Sequence, residues 1–370
     1  MRLAVVAGEA SGDLHAAKVI HELKTLDPSL TAFGIGGDLL AAEGVELLHH
    51  AREMAIVGLF NVLRHLRFFR RVFDELLERI ERERPDAILL VDYPEFNLRV
   101  AKRCKALGVK VLYYISPQVW AWRRGRVKGI ARVVDHMLVI FPFEAHFYRE
   151  HGVPVTYVGH PLVDELPSPA AKQKNETLQI ALLPGSRKHE VHSLLPPMLD
   201  AVKALGRDGM AVDAFVIRAP TITAAELLEI MAAAGTYVRI VPYDGGETLA
   251  GADVALSSSG TATLEAAIVG TPVIVMYRLS PLTYLAAKRL VKVPHFSLVN
   301  IVAGREVVPE LIQHDVNGER IAAEVRRLLE PARQARVREA LAHVRASLGQ
   351  PGASKRAAAE VFRMLTAHAR

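Results

Sequence analysis

Short apolar runs alternate with amphipathic stretches along the first half of the chain. Leu3–Ala7, Thr31–Ile35, Ala87–Val91, Val109–Ile115, His136–Ile140 and Val155–Val158 read as strands. Between them, Leu59–Arg84, Asn97–Leu107 and Phe143–His151 carry helical spacing. Strand and helix alternating at this interval predict a parallel, doubly wound sheet. Gly159-His160-Pro161 ends the series, and the polar, proline-punctuated segment Pro167–Glu176 reads as a linker or surface loop. The alternation then restarts with Ile180–Leu183, Ala211–Ile217, Val238–Val241, Val254–Leu256 and Val273–Met276, and beyond Val316 the pattern is helical. The expected class is therefore α/β: two Rossmann-like lobes of doubly wound parallel sheet facing a central crevice, with a helical C-terminal tail. The expected divisions are residues 1–165, 178–345 and 346–370. The tail is expected to pack on the first lobe or on a partner, which leaves a homodimer as one option.

A chain of 370 residues exceeds one ordinary core, in keeping with two domains. The single cysteine, Cys104, excludes an internal disulfide framework and fits a reducing compartment. No apolar run approaches the roughly 18 residues that suggest a membrane-spanning helix. Met1–Gly8 reads as a first strand rather than a signal peptide, so a cytoplasmic protein is expected. The net charge of +6 is unevenly spread, with clusters at Arg64, Arg67, Arg70 and Arg71 and at Arg123, Arg124, Arg126, Lys128 and Arg132. Such clusters favour anionic partners. No nucleic-acid-binding signature is present, so no nucleic acid is expected as a partner.

Candidate chemistry sits at the strand ends. Ser257-Ser258-Ser259-Gly260-Thr261 follows a short strand and opens a helix that carries Glu265. A turn of this kind offers backbone N–H groups and the positive end of a helix dipole, although an ordinary capped turn has the same composition. Gly8-Glu9-Ala10-Ser11-Gly12-Asp13 follows the first strand, with Ser11 or Asp13 available as an N-cap and Glu9 left without such a role. Its spacing is neither that of a dinucleotide fingerprint nor that of a P-loop, and Gly34-Ile35-Gly36-Gly37 fits a turn better than a cofactor site. Asp92, stopped short of a longer strand by Pro94, is placed either to act as a general base or to cap the next helix. Ser116-Pro117-Gln118-Val119-Trp120-Ala121-Trp122-Arg123-Arg124-Gly125-Arg126 joins the only two tryptophans to three arginines, a mixture suited to phosphate beside an apolar surface. Gly185-Ser186-Arg187 supplies a glycine turn, a hydroxyl and a guanidinium at a helix start, as a diphosphate would require. On Leu59–Arg84, the stripe Leu59, Leu63, Leu66, Phe69, Phe73, Leu77 and Ile80 faces a core, while Phe60 and Phe68 fall among arginines. That outer face suits an anionic lipid surface.

Five blocks in this order resemble the lipid-A-disaccharide synthase family: Val6–Asp13, Ser116–Arg123, Leu183–Arg187, Ser259–Glu265 and Leu298–Glu306. The resemblance implies the two-lobed GT-B fold, with an acceptor-binding, membrane-facing first lobe and a UDP-sugar-binding second lobe. It also implies an inverting transfer from UDP-2,3-diacylglucosamine to 2,3-diacylglucosamine 1-phosphate, forming a β-1,6 bond and releasing UDP. By the same resemblance Asp92 is the base, with Glu9 and Ser11 beside it. Arg187 and the Ser257–Gly260 turn hold UDP, Glu265 holds its ribose, and Asn300 is a further site residue. Arg123, Arg124 and Arg126 are candidates for the acceptor's 1-phosphate. No Asp-x-Asp triplet occurs, in line with a transferase that needs neither metal nor other cofactor. Tyr93 after the aspartate and the short linker depart mildly from the family. The expected location is the cytoplasmic face of the inner membrane, peripherally attached. The competing readings are a UDP-N-acetylglucosamine 2-epimerase or another UDP-sugar transferase, and a UDP-sugar or lipid-binding protein without turnover.

Overall fold

The computed structural model describes residues 1–55, 62–122, 124–169, 176–280, 284 and 294–366. The chain divides into two compact units, residues 1–161 with 349–370 and residues 162–348. Phe60, Arg123 and linker residues 170–175 lie outside the described residues, as do the side chains of Leu63, Arg64, Leu66 and Trp122.

The first unit holds a seven-stranded sheet: β1 (Arg2–Ala7), β2 (Thr31–Gly36), β3 (Glu46–His50), β4 (Ala87–Val91), β5 (Lys110–Tyr114), β6 (His136–Val139) and β7 (Val155–Tyr157), in the order β3-β2-β1-β4-β5-β6-β7. The second holds β8 (Leu178–Leu183), β9 (Val212–Arg218), β10 (Arg239–Pro242), β11 (Val254–Ser258), β12 (Val273–Tyr277) and β13 (Glu310–Ile312), in the order β10-β9-β8-β11-β12-β13. Every pairing is parallel. Two strands escape the sequence pattern. Glu46–His50 is half-buried and offers only two adjacent leucines, and Glu310–Ile312 spans three residues.

The central strands are apolar throughout because helices cover both faces of a parallel sheet. Ile88 to Val91 and Val111 to Tyr114 are fully buried. The helix Val62–Glu83 turns Val72, Leu76, Leu77 and Ile80 inward, with Phe69 and Phe73 half-buried at the margin. Phe68 is not a stray outer aromatic. It is half-buried, edge-on to His49 and Phe69, with the Arg71 guanidinium 5.8 Å from its ring centre. The helix Ala353–Thr366 belongs to the first unit and packs on Ala10–Leu26. It is fastened by Lys110 Nζ donating to the Met364 carbonyl at 2.7 Å and Arg356 Nε donating to the Val158 carbonyl at 2.7 Å.

Strand order reverses once in each sheet, between β1 and β4 and between β8 and β11. Connecting helices leave toward opposite faces at such a point, so the carboxyl ends of these strand pairs are where ligands enter doubly wound sheets.

The expectation that Ser11 or Asp13 caps the first helix is corrected. That helix begins at Ala10, and Glu9 occupies the cap position without a side-chain bond. Buried Asp13 instead accepts backbone N–H groups from Gly37 (2.6 Å), Leu39 (3.1 Å) and Leu40 (3.2 Å), fastening the loop after β2 to the first helix. The glycine series 34–37 thereby ends in a clasp: Gly34 and Gly36 lie in β2, and Gly37 starts the helix Asp38–Ala42. Removing the carboxylate leaves three amides without their acceptor. Asp13→Ala is expected to cost about 3 kcal/mol in urea unfolding, whereas exposed Ser11→Ala is expected to cost almost nothing.

Candidate functional site

The reversal point of the first sheet brings Glu9, after β1, beside Asp92, after β4. Asp92 and Tyr93 both adopt left-handed backbone, with φ of 48° and 46°. Ile115, after the neighbouring strand, does so at 61°. For non-glycine residues this stores roughly 1–3 kcal/mol each, so the surroundings must hold it. Asn97 Nδ2 donates to the carbonyls of Asp92 (2.8 Å) and Val91 (3.2 Å), and the buried Tyr113 hydroxyl donates to the Asp92 carbonyl at 2.6 Å. Pro94 starts the following helix, and Tyr93, not Asp92, sits at its cap position. The Tyr93 ring lies over Gly8, where a Cβ would come within 2.5 Å of it. Only glycine fits there.

The Asp92 side chain, neither capping nor ion-paired, is mostly buried, and its pKa is raised to about 6. Burial is the larger cause and the Glu9 charge the second. Glu9 and Ser11 are exposed. A carboxyl group titrating near neutrality at a strand end is suited to taking a proton from a hydroxyl.

The loop after β5 follows a different logic. Gln118 is exposed, whereas Trp120 is 5% exposed, so it is a packed side chain and not the half-wet surface expected of it. Its Nε1 donates to Glu144 Oε1 at 3.1 Å, and Ser116 Oγ donates to the same oxygen at 2.7 Å. Glu144 Oε2 accepts the Phe141 amide at 3.1 Å. Burial lifts the Glu144 pKa to about 7, against the pull of these donors. Arg124 is exposed and donates through Nε to the Trp120 carbonyl at 3.1 Å. Arg126 is already paired with Glu95, at 2.6 and 3.3 Å, which makes it the weaker phosphate candidate.

In the second unit, the reversal point joins the loop after β8 to the turn after β11. Gly185 has φ of 119°, and a Cβ on it would approach Glu190 Oε2 within 2.5 Å. Glu190 is a residue the sequence reading missed. Its Oε1 accepts from Arg187 Nη1 at 3.0 Å, and its Oε2 accepts the Ser186 and Arg187 amides at 3.3 Å. An acid in the first turn of Lys188–Arg207 was the available signal. This carboxylate occupies the donors that a diphosphate would use.

The serine turn is less generous with hydroxyls than its composition suggests. Ser257 and Ser258 complete β11 and are buried, and Ser257 Oγ donates to the Ser258 carbonyl at 2.9 Å. Ser259 Oγ donates to the Phe296 carbonyl at 3.0 Å. What remains for a ligand is Gly260, around which a Cβ would meet nothing within 4 Å, and exposed Thr261 at the start of Thr261–Ile268. The first amides of a helix have no intrahelical acceptor. Glu265, one turn on, is mostly buried and hydrogen-bonded to Tyr243, and its pKa is raised by burial first and by Glu165.

Asn300 has every hydrogen-bonding position filled within its unit. Its Nδ2 donates to the Val308 carbonyl (2.9 Å) and Glu310 Oε1 (2.8 Å), and its Oδ1 accepts the Val307 (2.7 Å) and Val308 (3.0 Å) amides. It is fully buried, and its side chain holds the segment after Gly304-Arg305-Glu306.

Comparison with known proteins places this geometry in context. A family model described as lipid-A-disaccharide synthetase matches residues 3–362. The lipid-A-disaccharide synthase of Myxococcus xanthus is 46% identical over 373 residues, covering 98% of this chain and 97% of that one. Among solved structures, MurG of Acinetobacter baumannii superposes with a TM-score of 0.59 at 15% identity, covering 98% of this chain and 99% of that one. The UDP-GlcNAc 2-epimerase of Neisseria meningitidis, solved with UDP-GlcNAc, gives 0.64 at 13%, covering 98% and 100%. MurG and the epimerase superpose about equally well, so these likenesses show the fold alone, whereas relatedness in sequence separates the two readings. The chain belongs to the lipid-A-disaccharide synthase family, glycosyltransferases built on the GT-B fold.

Proposed function

We propose that the protein transfers a 2,3-diacylglucosaminyl group from its UDP derivative to the 6-hydroxyl of 2,3-diacylglucosamine 1-phosphate, with inversion to a β-1,6 bond. The observation that carries this reading is Asp92, held in strained backbone at the first sheet's reversal point with its pKa raised to about 6. Displacement with inversion in one step needs a base on the attacking hydroxyl and charge stabilisation on the leaving group. Asp92 takes the hydroxyl proton, and Glu9 raises its basicity. Arg187, the Ser186 and Arg187 amides and the Gly260–Thr261 helix start receive the diphosphate, displacing Glu190. Glu265, oriented by Tyr243, accepts from the ribose. Arg124 meets the acceptor's phosphate. Guanidinium and amide donors supply the neutralisation, so the reaction runs without a metal ion.

No helix among the described residues is long and apolar enough to cross a membrane. We assign membrane contact to the helix Val62–Glu83, where Arg67, Arg70 and Arg71 are exposed around half-buried Phe68. Arg70 and Arg71 are partnered only loosely, by Asp74 at 3.7 Å and Glu75 at 3.9 Å, so their charge remains available to anionic head groups.

Incubation with both acylated glucosamines tests the reaction directly. UDP release is expected only when both lipids are present and is expected to survive EDTA; release from the donor alone, or loss with chelator, would count against it. Asp92→Asn is expected to lower kcat by about 10²–10⁴-fold while UDP still binds. The same change is expected to raise stability at pH 7.5. A carboxylate whose folded pKa lies about two units above its unfolded value costs on the order of 3 kcal/mol once ionised, a penalty absent below about pH 4 and complete above about pH 6. A higher melting temperature in an inactive variant is the expected pair of results.

The pH profile follows from the same group. Activity requires the ionised base, so kcat/KM is expected to fall tenfold per pH unit below about 6. Glu9→Gln removes the smaller of the two raising influences and is expected to move that limb to lower pH by less than a unit. An unmoved limb would detach Glu9 from Asp92.

For the membrane surface, Phe60→Ser with Phe68→Ser is expected to reduce sedimentation with phosphatidylglycerol vesicles and leave activity on detergent-dispersed substrate nearly unchanged. Equal sedimentation of variant and parent would remove the assignment.

A further inference from the structure

Glu144 is 1% exposed, lies outside the chemistry assigned above, and spends its two oxygens on two different elements. Oε2 accepts the Phe141 amide and so caps its own helix, Pro142–Glu150. Oε1 reaches off that helix to the loop after β5, where it accepts Ser116 Oγ at 2.7 Å and Trp120 Nε1 at 3.1 Å. Both donors are 5% exposed, so neither has water as a ready substitute. The indole also stands edge-on to Phe143 at 4.8 Å between ring centres, and the Tyr148 hydroxyl donates to the Pro117 carbonyl at 3.3 Å. The chain of contacts continues outward, because the Trp120 carbonyl accepts Arg124 Nε at 3.1 Å and fixes the base of an exposed guanidinium.

We infer that Glu144 is the positioning residue of the acceptor loop, clamping Ser116 and Trp120 to the helix Pro142–Glu150 and thereby setting where Arg124 stands. The inference rests on the reading in which Arg124 meets the acceptor's phosphate. A capping role alone would use one oxygen. Glutamine has the same shape but only one acceptor oxygen, so it satisfies the helix cap or the loop, never both. Its amide N–H₂ then faces the Phe141 amide or the Trp120 indole N–H, neither of which can accept, whereas the Ser116 hydroxyl can turn to do so.

The test compares Glu144→Gln with Arg124→Ala in the full-length protein. KM is measured for each lipid substrate, and tryptophan emission is recorded in a Trp122→Phe background, where Trp120 is the sole reporter. Glu144→Gln is expected to raise the acceptor KM about tenfold, the equivalent of one lost charge-assisted hydrogen bond, with the donor KM within about twofold and the Trp120 emission shifted. Arg124→Ala is expected to raise the acceptor KM without moving the emission. If Arg124→Ala raises the acceptor KM and Glu144→Gln does not, the positioning role is overturned while the loop's contact with acceptor stands. Equal rises in both KM values, or a loss of kcat alone, overturn it too. If Glu144→Gln moves the emission but neither variant changes the acceptor KM, Arg124 does not meet the acceptor, and the inference falls with that reading. Should Glu144→Gln fail to fold, Ser116→Ala, which deletes one of the two loop donors and leaves the cap intact, is judged by the same outcomes with a smaller expected rise.

Discussion

Reversal of strand order between β1 and β4, and again between β8 and β11, is the constraint on which the functional geometry depends. Parallel pairing aligns all strands of a sheet head to head, so every carboxyl end emerges on the same edge. Where the order runs consecutively, connecting helices crowd that edge. At a reversal they diverge and leave two strand ends uncovered. The residues immediately after those four strands are Gly8 and Glu9, Asp92, Pro184 to Arg187, and Ser259 to Thr261. Nearly every group assigned to chemistry lies there.

The strand ends of the two units carry different chemistry. In the first unit, burial pushes carboxyl groups upward in pKa, Asp92 to about 6 and Glu144 to about 7. In the second, a glycine turn and a helix start present amides and a guanidinium, with Glu190 held in place by them. In the proposed reaction the first unit supplies the proton acceptor and the second the donors for the departing diphosphate. The first arrangement does not favour folding. Left-handed backbone at Asp92, Tyr93 and Ile115 and a desolvated carboxyl group are costs, sustained because β1, β4 and β5 beneath them are buried almost completely.

The supporting groups are as specific as the reacting ones. Tyr113 and Asn97 bond the Asp92 carbonyl, so its carboxylate is left with only the neighbouring Tyr93 amide. Asp13 secures the loop after β2, and Asn300 the segment before β13. Each is a buried polar side chain bonded to backbone groups, and it fixes loop shape by satisfying amides or carbonyls that would otherwise be buried without partners.

Most of the fold was legible in the chain's own pattern, because a strand buried on both faces, such as β4, must be an uninterrupted apolar run, and eleven of the thirteen strands among the described residues overlap runs read from the sequence. Family membership was legible too, carried by glycine, serine and charged residues at strand ends. Partnership was not. Sequence puts Ser257, Ser259 and Trp120 in ligand-like motifs, but their polar groups are taken by the Ser258 carbonyl, the Phe296 carbonyl and Glu144. It gives no prominence to Glu144 or Glu190, which look like ordinary acids near helix starts. Hydrophobic periodicity is a local property and survives in one dimension, so it determined the elements, their parallel order and the kind of chemistry at their ends. Which oxygen accepts which proton depends on residues brought together from tens of positions apart. Only the tertiary structure decided that Asp92 stands desolvated beside Glu9 while the Ser257 and Ser259 hydroxyls are taken by backbone carbonyls.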